Sequence, residues 1–176
     1  LSLRREGNLD SDRCVLAKDM NPSSVRMTQG DLLRIYLAYL TDVATSTLAK
    51  HHHNGQPIDR YTRRRFARPC WPDETQATWA DALMRKFLAE AQILGDTFSG
   101  RWQGGIPVAT LKAAIDQIKL LDRLPTYLVE AGVPEPVAVA AGAFDAMDNR
   151  REAFMVVDVG AGTTDFGLFV ATRMRE

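Results

Sequence analysis

At 176 residues, 45% of them hydrophobic, the chain is long enough to bury the core of one ordinary domain. Lys plus Arg and Asp plus Glu number 22 each, so the net charge is zero and no overall field gathers nucleic acid or an anionic membrane. Cys14 and Cys70 stand far apart outside any CxxC or Cys/His array, which argues against a structural zinc and suits free thiols in a reducing compartment.

No apolar run reaches the length of a membrane span, and "LSLRREGNLD" lacks the apolar core of a signal peptide, so the expected location is the cytoplasm. Residues up to about Arg26 are polar and without clear period, which reads as the tail of something larger. Thr28 and Asp31 make a capping-box-like start to a helix. Its apolar stripe is Leu33, Tyr36, Leu37, Leu40, Ala44, Thr47 and Leu48, and Asn54-Gly55 stops it. One short strand fits around residues 60–67, before Pro69 and Pro72. Asp73 then caps a second helix with Trp79, Leu83, Phe87 and Ala91 on its core face, ending near Gly95 and the "SGRWQGG" loop. Pro107 opens a third helix carrying Val108, Leu111, Ile115, Ile118 and Leu121, and a small-residue helix starts at Pro136.

The chemistry concentrates in "MVVDVGAGTTDFGLFV", residues 155–170. Two runs rich in Val and Phe, short enough for buried strands, flank a knot that favours neither strand nor helix, so the knot is read as a hairpin turn. Gly160 and Gly162 lack a Cβ and can bring backbone N–H groups close to an anion, while Thr163 and Thr164 add hydroxyl donors. Asp158 has the wrong charge for a phosphate and the right one for the hydrated Mg²⁺ that travels with ATP; Asp165 can fix the turn or the same water shell. A turn serving geometry alone is the plain alternative. Asp165 stands where a third glycine of G-x-G-x-x-G would be and a strand follows, which disfavours a dinucleotide fold; no G-x-x-x-x-G-K-[ST] occurs.

"VVDVGAGTTDFGLFV" resembles the second phosphate-binding hairpin of the actin-like ATPase superfamily, which joins actins, sugar kinases and the seventy-kilodalton heat-shock (DnaK-type) chaperones. "EPVAVAAGAFD" resembles the Glu-Pro-led helix before that hairpin in the chaperones, and "RPCWPDETQAT" resembles their strand-end Pro-aromatic segment with the helix after it. The resemblance runs from about Thr28 to Val170. It implies an α/β, ribonuclease H-like fold in part: a helix-rich first lobe over 1–148 and the opening β-hairpin of a second lobe over 149–176. It implies Mg-dependent ATP hydrolysis coupled to lobe closure, with ATP and ADP as ligands and unfolded polypeptides and co-chaperones as partners.

Carried over by position, Asp158 would sit near the Mg²⁺ shell and Gly160, Ala161 and Gly162 would line the β- and γ-phosphates. Thr163 would contact the γ-phosphate, Asp165 would orient the shell, and Glu135 would hold a metal-bound or attacking water. Glu135 has an equal claim as a first-turn acid favoured by the helix dipole. Ala161 replaces a glycine common in the chaperones, and Ala77 stands where they usually carry an arginine. A filament-forming or kinase-like ATPase, or a binding module without turnover, are the alternatives. The chain starts without Met and is expected to be a fragment, inactive on its own. The arginines of "RYTRRRFAR" could meet RNA or acidic protein and read rather as a solvated strand edge or as ion pairs between lobes, and His51, His52 and His53 as cations at a helix end rather than metal ligands.

Overall fold

The computed structural model describes residues 7–52, 56, 58–59, 62–71, 73–144, 153–160 and 164–170. Four α-helices are found among them: α1 (Gln29–His52), α2 (Glu74–Thr97), α3 (Val108–Lys119) and α4 (Glu135–Phe144). The strands are β1 (Ala67–Arg68), β2 (Val133–Pro134), β3 (Ala153–Val159) and β4 (Thr164–Val170). No described helix is long and apolar enough to cross a membrane. Two compact units emerge, one of residues 1–63 and 83–129, the other of 64–82 and 130–176. The expected division at 148/149 therefore falls inside the second unit, because α4 packs on both β3 and β4 and gathers the hairpin with the residues before it.

In the first unit, the capping box forms as read. The Thr28 N–H donates to Asp31 Oδ2 at 3.0 Å and the Asp31 N–H to Thr28 Oγ1 at 3.1 Å, satisfying donors that a helix start leaves open. The buried face of α1 matches the expected stripe only in part: Leu33 and Leu37 pack on the core. Asp31, Arg34 and Ala38 are buried, whereas Tyr36, Leu40 and Leu48 are exposed. The reason lies in the stretch before it, which is packed rather than a loose tail. A 3-10 turn at Asp12–Cys14 and an antiparallel bridge between Val15 and Thr28 hold it, and Leu9, Cys14 and Met27 are buried. Arg34, 1% exposed, donates two hydrogen bonds to Asp10 at 2.9 Å and one to Glu90 at 2.8 Å. Its guanidinium also lies 4.4 Å from the Phe87 ring centre. Lys119 reaches Asp31 at 2.6 Å and Asp10 at 2.8 Å.

Around this cluster the core is conventional. Ala38, Ala91, Leu94, Phe98, Leu111, Ile115 and Ile118 form one buried group. Gly95 continues α2 instead of ending it. A Cβ there would lie 3.4 Å from the Ala38 carbonyl oxygen, an ordinary van der Waals contact, so α2 faces α1 closely at this point without requiring a glycine. Trp79, expected in the core beside Phe87, is 38% exposed, while Phe87 is buried.

The second unit holds two small sheets. β1 and β2 pair in parallel, Ala67 with Val133 and Arg68 with Pro134. The strand expected over 60–67 is thus displaced to its end; Arg60 and Tyr61 lie outside the described residues. β3 and β4 pair antiparallel from Ala153↔Val170 to Val159↔Thr164, the hairpin that the glycine knot predicted. The strands are not buried on both faces. Val156, Asp158, Asp165, Gly167 and Phe169 are half-buried, while Met155, Val157, Val159, Phe166, Leu168 and Val170 are exposed.

Arg34→Ala should remove about 3–5 kcal/mol of unfolding free energy in urea titrations, because it takes from the buried Glu90 its 2.8 Å partner and from Asp10 two hydrogen bonds. Burial alone would push the Asp10 carboxyl up, but hydrogen bonds and charge from Arg34 and Lys119 outweigh it and hold Asp10 below its ordinary value. Its stabilising contribution is therefore complete above the ordinary carboxylate value and is lost as pH falls through the lowered one. Asp10→Asn should flatten that acid limb in pH-dependent melts; an unchanged limb would assign the acid sensitivity to other groups.

Candidate functional site: three acids at the base of a hairpin

The site is built where strands hand over to helix and turn. Pro134 ends β2 and Glu135 begins α4 with no residue between, so the chain passes from strand to first helical turn at the carboxyl end of the parallel pair. β1 ends at Arg68, and Pro69 and Cys70 leave the sheet at the same end. The hairpin brings the second contribution. Asp158 and Asp165 face each other in register, and period-2 alternation puts both on the half-buried side that packs on α4.

Like charges directly opposite on paired strands repel. A third acid close by compounds the repulsion, and the ionisation of Glu135 registers it. Its carboxyl is pushed above the ordinary value, first by burial, then by the charges of Asp158 and Asp165, with a hydrogen bond to Asp158 adding to them. A helix N-terminus by itself would favour the ionised acid. Here burial and the two aspartates outweigh that preference. Cys70 shares these surroundings: desolvation pushes its thiol up, the Asp165 charge adds to it, Arg68 opposes, and Glu135 adds a smaller push.

Other expected residues lie nearby in sequence. Gly160 follows β3 directly and is exposed, and Thr164 opens β4 opposite Val159. Ala161, Gly162 and Thr163 lie outside the described residues, as does His53. His51 is exposed. Two arginines of the run make ion pairs within the unit: Arg65 with Glu130, and Arg68 with Asp81 at 3.0 Å.

No family model matches this chain, and neither a curated protein nor a solved structure matches it. The chemistry therefore has to be argued from the residues. Among the described residues no group of three or more His, Cys, Asp or Glu is placed to hold a metal ion directly. That excludes a dry cage from these residues but not a hydrated ion, since Mg²⁺ keeps several waters and takes only one or two carboxylates beside phosphate oxygens. Three converging acids, one of them with its proton held more tightly than usual, fit the charge of such an ion.

Cys70 was missed by sequence reasoning, which treated it as an isolated thiol. The signal would have been the pairing of β1 with β2, two-residue strands too short to announce themselves.

The raised Glu135 value carries a sign. The folded chain keeps a proton that the unfolded chain has already released, so stability falls as pH climbs from the ordinary carboxylate range through the raised value. Glu135→Gln should raise stability at neutral pH by about 0.5–1 kcal/mol, the scale of a like-charge contact on a sheet. The gain should vanish below the carboxylate range. Thermal melts across pH check this, and an equal gain at both ends would mean that the repulsion is absent.

Proposed function

We propose that this chain carries a nucleotide-phosphate site of the actin-like ATPase kind, closest in pattern to the heat-shock chaperones, and that Mg-dependent ATP hydrolysis coupled to lobe closure is its activity. What supports the reading is the convergence of Glu135 with the cross-strand pair Asp158 and Asp165 at the base of a hairpin whose turn reads Gly-Ala-Gly-Thr. A turn needed only for geometry gives no reason to pay for three mutually repelling acids beside it.

On this reading the backbone of Gly160, Ala161 and Gly162 cradles the β- and γ-phosphates, with the Thr163 and Thr164 hydroxyls as added donors. Mg²⁺, when bound with the nucleotide, would neutralise charge developing on the transferred phosphoryl group. Asp158 faces that ion's water shell, and Asp165 across the ladder keeps Asp158 and the shell aligned. Glu135, with its proton affinity raised, is suited to hold the attacking water and to accept a proton from it. Unfolded polypeptides and co-chaperones are the partners belonging to this reading, and the cytoplasm its location.

Positioning and charge do most of the work in phosphoryl transfer, so one charge should matter greatly. In the gene product carrying these residues, Asp158→Asn should cut Mg-dependent ATP turnover by about tenfold or more, with a much smaller change in nucleotide affinity by calorimetry. The backbone cradle survives that substitution. Wild-type turnover in the variant would refute the role given to Asp158; Mg·ATP binding without any turnover in the wild type would favour a binding module instead.

A further inference from the structure

We infer that Gly167 is a positioning residue: by leaving room on β4 for the Pro136 ring it seats the first turn of α4 on the hairpin and so sets Glu135 against Asp158 and Asp165. The functional meaning rests on reading these acids as part of a phosphate site, but the geometry stands apart from it.

The steric facts are local and specific. A Cβ built on Gly167 would lie 2.5 Å from Phe169 Cε2, 2.8 Å from Phe169 Cζ and 2.9 Å from Pro136 Cβ. The first two contacts involve the far end of a side chain that can swing away. The third does not: Pro136 Cβ belongs to a ring closed onto the backbone, and Pro136 is among the most fully buried residues of the chain. A methyl group at 167 therefore displaces the helix start or the strand. A mid-strand glycine is itself unfavourable, lacking a side chain to pack and losing much backbone freedom, so close approach of another element is the physical reason for one here.

The contact also lies in the right place to govern the acids. Pro136 follows Glu135 directly on α4. Gly167 is two residues from Asp165 on the same face of β4, and its partner Val156 is two residues from Asp158 on the same face of β3. Any shift of α4 over Gly167 changes the approach of Glu135 to both aspartates.

The test uses carboxyl ¹³C spectra of the whole chain at fixed neutral pH, reading the Glu135 resonance. Gly167→Ala should move it, because the new methyl lifts α4. Pro136→Gly alone should move it too, by vacating the seat from the other side without overpacking; this keeps the inference open to test if Gly167→Ala does not fold. The double variant, in which the methyl fills the vacated space, should bring the resonance back toward wild type, a restoration that general loss of structure would not give. Leu168→Ala, on the exposed face, should leave it unmoved. A Glu135 resonance unchanged in folded Gly167→Ala, or a double variant no nearer to wild type than either single, overturns the inference. A separate titration with Mg·ATP should show affinity about tenfold weaker in Gly167→Ala, the usual effect of disturbing a residue that supports a site. Absence of Mg·ATP binding in the wild type would retire the ATP reading alone, with the spectra still deciding the role of Gly167.

Discussion

A guanidinium with almost no exposed surface has to be surrounded by acceptors, and Arg34 is: Asp10 takes two of its donors, Glu90 a third, and the Phe87 ring lies over the cation. Taking such a charge out of water is offset only when nearly every donor finds an acceptor. Most features of the helical unit follow from that requirement. It fixes which face of α1 turns inward, it brings the segment around Leu9 and Asp10 into the core, and through Asp10 and Asp31 it draws in Lys119 from the end of α3. Three helices and an irregular segment are tied by groups that would each be unfavourable alone.

The hairpin unit answers to the opposite constraint, an excess of one charge. Asp158 and Asp165 stand opposite each other on the ladder, and their charges help push the Glu135 carboxyl above its ordinary value. One unit buries charges in balance; the other gathers like charges on the half-buried side of a hairpin. Perturbed acids cluster at functional sites, and structural charge networks perturb them as well.

Legibility followed the range of the interactions. The capping box of Thr28 and Asp31 and the turn after Val159 depend on residues three to six apart, and both could be read directly. The inward face of α1 could not, because Arg34 becomes a core residue only through Asp10 and Glu90, and Glu90 is 56 positions away. Gly95 looked like a stop signal, yet the helix runs two residues further, to Thr97, and its face at Gly95 lies against Ala38 of another helix. Asp158 and Asp165 were read from the motif itself, and Glu135 only through the resemblance of its helix to that of the chaperones. Their company was not, since Cys70 joins them through a pair of two-residue parallel strands with no periodic signature.

The two faces of the hairpin have a consequence for its energy landscape. Six apolar side chains, including Phe166 and Leu168, point to water, while the face held against α4 carries two aspartates and a glycine beside Val156 and Phe169. By hydrophobicity alone the ribbon would turn over, since each apolar side chain brought in gains about 1.5–3 kcal/mol when fully buried. A slip of one residue would achieve it. The hairpin is therefore locally frustrated in the sense used for folding landscapes: the pattern of its strands favours one orientation, and the close fit of Pro136 over Gly167 selects the other. Such a conflict is tolerated where the orientation that is worse for packing presents the groups that do chemistry.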